Sequence, residues 1–148
     1  MRMLALLIIL CPMLSSGMDR LAALSMIETG DNDRMVGRAG EISRYQVLKT
    51  EWRSVTNSVN YADTATAKNV AQMLLARRVQ AFHATYHRDP TDFEFYGLWN
   101  APGQVLKGRI SPVVAERCRR YSNLCEWEGS LKPIISAAPA APKARLRG

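Results

Sequence analysis

Glu28 is the acidic side chain whose surroundings in the sequence best suit chemistry. It closes the segment Met18-Asp-Arg-Leu-Ala-Ala-Leu-Ser-Met-Ile-Glu28, which reads as an amphipathic helix. A polar loop punctuated by glycines follows, from Thr29 to Gly40, and leads into Glu41-Ile-Ser-Arg-Tyr-Gln46. A carboxylate at a helix end, with such a loop folding back over it, can be held in a cleft. Partial burial then raises its pKa toward the working pH, so that it can hand a proton to a leaving oxygen. Cleavage of a glycosidic bond needs that proton. Tyr45, Tyr96 and Trp99 are available as an aromatic lid, and their rings suit the apolar faces of sugars. Gln46 and Asn100 are neutral donors and acceptors suited to sugar amides and hydroxyls. Glu41 is either a second catalytic carboxylate, as hydrolysis requires, or an exposed loop residue. Asp31 and Asp33 fit the turns of that loop.

The elements expected to position these residues are helices. One covers about residues 18–29, with Gly30 as its stop, and a short one covers 45–54, with Val47, Leu48 and Trp52 facing inward. The longest periodic segment is 63–87, capped by Asp63 and ended by Asp89-Pro90. Thr91-Asp-Phe-Glu94 is a capping box that opens a helix to about Trp99, which Asn100-Ala-Pro-Gly103 breaks. Ser111-Pro112 starts a helix to about Tyr121. Gly40–Val47 is the one modest strand candidate.

The chain has 148 residues, enough for one small domain. Residues 1–17 read as a cleavable secretory signal: Arg2, an apolar stretch of about a dozen residues through Leu14, then Ser15-Ser16-Gly17. That stretch is shorter than the roughly 20 residues a spanning helix needs, so no lasting membrane span is expected. Residues 18–130 are expected to form the folded domain, and 131–148 a disordered, basic Ala/Pro tail. Of the net charge of +7, the tail holds +4 and the signal +1, which leaves +2 for the domain. A nucleic-acid partner, which needs a basic face on the domain itself, is therefore not expected. Arg77-Arg78 and Arg117-x-Arg119-Arg120 read as solvated helix faces. With Cys11 in the signal, Cys118 and Cys125 remain as an even pair in an oxidising compartment, and a local disulfide between them is expected. His83 and His87 stand one helical turn apart without the Glu of a His-Glu-x-x-His site, so neither metal nor cofactor is expected.

Three segments taken together carry a family likeness: Ile27-Glu28-Thr-Gly, Gly40-Glu-Ile-Ser-Arg-Tyr-Gln46, and Phe95-Tyr96-Gly-Leu-Trp99-Asn100-Ala-Pro-Gly103. In order and rough spacing they resemble the three motifs of the soluble lytic transglycosylase (SLT) and goose-type lysozyme superfamily. Glu28-Thr29 is similar to the Glu-Ser of the first motif. Gly40, Tyr45 and Gln46 look like their counterparts in the second, Gly-Ala-x-Gly-Leu-Met-Gln, with Ser43 in place of its second glycine and Arg44 in place of its apolar residue. Trp99-Asn100-Ala101 is similar to the core of the third, Ala-Tyr-Asn-Ala-Gly, with Pro102 intruding. The resemblance covers about residues 20–105. It implies a mainly α, lysozyme-like domain with a catalytic cleft, Glu28 as the single acid and base, and Ser43, Tyr45, Gln46, Tyr96, Trp99 and Asn100 against substrate. It further implies a monomeric, secreted or periplasmic protein of the bacterial envelope acting on peptidoglycan. The muramic acid 6-hydroxyl would attack its own anomeric carbon and leave a 1,6-anhydro end. A lysozyme-like hydrolase using Glu41, or a glycan-binding or assembly protein without turnover, are the other two functional classes.

Overall fold

The structure, a computed structural model, describes the backbone of residues 19–136 and the side chains of residues 19–127. The expected signal at 1–17 and the tail residues 137–148 lie outside the described residues. The described chain is mainly helical, as expected: α1 (Arg20–Thr29), α2 (Lys49–Arg53), α3 (Thr64–Tyr86), α4 (Asp92–Asn100), α5 (Pro102–Leu106) and α6 (Pro112–Ser136). None of these helices is long and apolar enough to cross a membrane.

Local signals set most of the boundaries. The Asp19 carboxylate accepts a hydrogen bond from the Leu21 amide, and Gly30, at φ 63°, closes α1 in the left-handed conformation. Asp63 caps α3 by accepting from the Thr66 amide at 2.7 Å. At α4 both halves of the capping box form: the Thr91 hydroxyl accepts from the Glu94 amide, and the Glu94 carboxylate accepts from the Thr91 amide. Arg88 grips that carboxylate with both terminal nitrogens, at 2.8 and 2.6 Å, and holds its pKa down to about 2.

Two expectations about segment type are corrected. Gly40–Val47 is no strand; it is a tight turn closed by one antiparallel bridge between Ile42 and Val47. That turn delays α2 to Lys49 and leaves Leu48 exposed, while Val47 and Trp52 are buried as expected. At the other end, α6 runs past Tyr121 to Ser136, so 131–136 is helix where a disordered tail was expected.

The core is organised around α4. Tyr121 of α6 is fully buried, stacks on Tyr96 at 5.2 Å and on Phe95 at 6.1 Å, and donates its hydroxyl to the Arg20 carbonyl at 2.9 Å. One residue thus joins α1, α4 and α6. Gly97 lets the helices come close: a Cβ there would stand 2.6 Å from Val105 Cγ2 and 3.4 Å from Cys118 Sγ.

The expected Cys118–Cys125 disulfide is not present, and both thiols are free and buried. They lie seven residues apart on one continuous helix, which separates them by roughly 10 Å along its axis. A disulfide needs Cα atoms within about 7 Å. Val114, Cys118, Tyr121 and Cys125 instead form the buried stripe of α6, and burial pushes both thiols up from their ordinary pKa.

Unfolding the chain in guanidinium with a maleimide and no reductant should modify both Cys118 and Cys125; protection of the pair would contradict this packing. Gly97→Val should lower stability by about 1–3 kcal/mol in denaturant titration, because the added methyls meet Val105 and Cys118 in a filled core.

Candidate active site

Glu28 occupies the last turn of α1, where the chain leaves the helix sharply. Gly30 and Asp31 are both left-handed, at φ 63° and 64°. Buried Ser25 hydrogen-bonds the Asp31 carboxylate, and the Asp31 amide returns to the Ser25 carbonyl at 3.3 Å. These bonds offset the cost of a left-handed aspartate. Arg44, reaching over from the 42–47 turn, binds Asp33 through two parallel bonds of 2.6 and 2.9 Å. The same guanidinium reaches the Asp31 carbonyl, and Thr64 at the start of α3 donates to Asp33. Arg44 thereby holds the Asp33 carboxyl below its usual range. Thr29, next to Glu28, donates to the Arg44 carbonyl at 2.9 Å. The loop and the turn are therefore tied to the end of α1, as the sequence suggested.

Within the turn, Ser43 and Gln46 adopt positive φ, 65° and 52°. Ser43 is buried, and its hydroxyl accepts from the Tyr45 amide. Gln46 donates to the Ser43 carbonyl at 3.3 Å and the Met35 carbonyl at 3.5 Å. The Glu41 and Gln46 side chains both lie against Gly37, and any Cβ there would collide with them. Glu41 also accepts from the Ala39 amide at 2.9 Å, which folds its carboxylate onto its own loop.

The phenol of Tyr96, from the middle of α4, donates to Glu28 Oε1 at 2.9 Å. Glu28 is half-buried, and its pKa is raised above the ordinary 4.5. Desolvation is the largest cause; the Tyr96 bond and the Arg117 charge oppose it, and the Glu41 charge adds to it. Burial and the neighbouring carboxylate push the Tyr96 phenol up in turn, so it stays protonated and remains a donor. Glu28 and Tyr96 open onto a recess of about 240 Å³ that Ile27, Arg117 and Arg120 complete. An acid with elevated proton affinity, gripped by a neutral donor beside an open recess, can give up a proton and then be stabilised as the anion.

The expected aromatic lid reduces to Tyr96. All three rings are buried in the core, Tyr96 and Tyr45 at 3% and Trp99 at 8% exposed. Only Tyr96 reaches Glu28, through its hydroxyl, while Tyr45 and Trp99 meet edge to face at 6.5 Å. Arg78 lies over the Trp99 ring, donates to the Leu98 and Trp99 carbonyls, and pairs with Glu51, so it braces α3 on α4 where a solvated face was expected. Asn100 is half-buried at the end of α4, and neither it nor Gln46 lines the recess. His83 pairs with Asp89 at 2.8 Å, and left-handed His87 caps α3. Arg117 and Arg120 are exposed, as expected of a solvated face, and they also wall the recess. Their signal was their spacing: they flank the buried Cys118–Tyr121 stripe, which becomes visible only once the register of α6 is known. No family model, curated protein or solved structure matches the chain.

Removing the Tyr96 hydroxyl with Tyr96→Phe should raise the Glu28 pKa further, since that bond favours the carboxylate; ¹³C-detected titration of labelled glutamate reads the shift, and a fall would contradict it. Because folding raises this pKa, Glu28 contributes stability that is present below pH 4.5 and lost as pH rises through its folded value. Glu28→Gln should accordingly raise Tm near neutral pH, with the gain shrinking as the pH falls toward 4.5 in thermal melts.

Proposed function

We propose that this chain is an exported, peptidoglycan-cleaving lytic transglycosylase in which Glu28 is the single acid and base. The observation that carries this reading is the half-buried Glu28 carboxyl, its proton affinity raised by desolvation, held at 2.9 Å by Tyr96 on an open recess. The backbone around the second motif supports it as well. Gly40 and Ser43 stand at the two positions where the family motif carries glycine, and both are left-handed, at φ 82° and 65°. The serine substitution thus keeps a conformation that favours glycine.

The chemistry needs one carboxyl group. Protonated Glu28 gives its proton to the glycosidic oxygen between N-acetylmuramic acid and N-acetylglucosamine as that bond breaks. Positive charge develops at the muramic acid C1, next to the carboxylate that has just formed. The 6-hydroxyl of the same sugar then bonds to C1 and returns its proton to Glu28, leaving a 1,6-anhydro ring without consuming water. The Tyr96 hydrogen bond is stronger to the carboxylate than to the acid, so it favours the charged intermediate over the resting state. Desolvation works the other way and keeps the acid loaded before reaction. Gln46 keeps its amide nitrogen on the Ser43 carbonyl, outside the recess.

Hydrolysis with Glu41 is the second reading, because the Glu41 charge acts on Glu28. Its engagement with the Ala39 amide counts against a role as nucleophile or base.

Glu28→Gln should lower sacculus-cleaving activity by about 10²–10⁴-fold, the usual worth of a positioned acid, whereas Glu41→Gln should leave most of it. Full activity in Glu28→Gln would overturn the proposal, and loss in both variants would favour hydrolysis. Mass spectrometry of the released fragments should find anhydro-muramic ends.

A further inference from the structure

We infer that Arg117 and Arg120 form a carboxylate-binding subsite of the recess, taking the anionic part of the substrate while Glu28 acts beside it. The inference rests on the proposed activity and adds the substrate feature that the site selects. The two arginines stand one turn apart on one flank of α6 and line the same 240 Å³ recess as Glu28 and Tyr96. The arginines that brace the fold are paired, Arg20 with Asp92, Arg44 with Asp33 and Arg88 with Glu94, and exposed Arg119, between the two in question, pairs with Glu116 on the surface of α6 at 2.8 Å. Among the described residues neither Arg117 nor Arg120 takes part in an ion pair, so both guanidinium groups are open to a ligand.

Two unpaired cations are a poor wall for a site that must keep an acid protonated. Arg117 pulls the Glu28 pKa down, against the burial that raises it. A neutral glycan would leave that pull in place. A substrate carboxylate lying across Arg117 and Arg120 neutralises it, so the acid is loaded most fully when the right ligand is bound. Guanidinium groups suit this task because they bind carboxylates through paired hydrogen bonds. Peptidoglycan offers carboxylates from two sources, the lactyl group of muramic acid where it is free and the peptide stem where one is attached. Beyond Arg120 lies a shallow, open surface formed by Ile27, Asn123, Leu124 and Trp127, a residue 58% exposed. That surface suits the apolar face of a sugar or the aliphatic part of a stem, with the anion held at the junction.

Binding to the uncleaving Glu28→Gln chain tests this, with and without the further changes Arg117→Gln and Arg120→Gln, after thermal melts establish that the variants are folded. Three ligands are used: peptide-bearing glycan strands, amidase-stripped strands that keep only the lactyl carboxylate, and neutral N-acetylglucosamine oligomers. The arginine changes should weaken binding of anionic strands by about tenfold or more and leave the neutral oligomers within about twofold. Loss on the stripped strands alone assigns the free lactyl carboxylate, loss on peptide-bearing strands alone assigns the stem, and loss on both means that the pair takes either carboxylate. The charge reversal Arg120→Glu should weaken anionic strands further. Unchanged affinity, or an equal loss on the neutral oligomers, would overturn the subsite while native sacculus cleavage leaves the activity standing. If no glycan binds and native protein leaves sacculi intact, the proposed activity falls and the subsite with it.

Discussion

The hydrogen bond from Tyr96 to Glu28 joins residues 68 positions apart in the chain, and the rest of the site depends on it. It forms only if α1 ends where it does, if α4 presents Tyr96 toward that end, and if α6 supports the ring from behind. Gly30 secures the first condition, the Thr91–Glu94 capping box the second, and the Tyr121 ring at 5.2 Å the third. Tyr121 also bonds the Arg20 carbonyl at the start of α1, so the same residue fixes both partners of the bond. Tyrosine suits the position because its ring packs in the core while its hydroxyl reaches the recess.

The electrostatics of Glu28 are a balance of opposed effects. Desolvation favours the acid, while the Tyr96 hydroxyl and the Arg117 charge favour the anion. An enzyme acid must change between those forms in each cycle, so an environment that strongly favoured either would stall it. Around this pair the loop is held firmly: Arg44 clamps Asp33, Thr29 holds the Arg44 carbonyl, and Gly37 admits the Glu41 and Gln46 side chains. The Arg44 guanidinium fixes the loop by charge, through Asp33 and the Asp31 carbonyl.

Features set by neighbours in sequence were legible. Asp19, Gly30, Asp63, the Thr91–Glu94 box and Ser111-Pro112 mark helix ends through bonds that span a few residues, and α1, α3, α4 and α6 begin or end close to where they stand. Features set by packing were not. Tyr45, Tyr96 and Trp99 look alike as aromatics and all three are buried, yet only the Tyr96 hydroxyl reaches Glu28, a contact set by where α4 meets the end of α1. Cys118 and Cys125 read as a disulfide under compartment rules; on a continuous helix the same spacing is two turns of a buried stripe. Arg117 and Arg120 resemble Arg119 in the sequence, and only the rotation of α6 separates the recess wall from the surface ion pair with Glu116.

In the proposed reaction Glu28 moves one proton out and one back, and no water enters the product. Digestion of sacculi in ¹⁸O-labelled water measures this directly. Soluble muropeptides with anhydro ends and no incorporated label are the expected products. Reducing ends carrying ¹⁸O, or no soluble product from the native chain, would contradict that reaction.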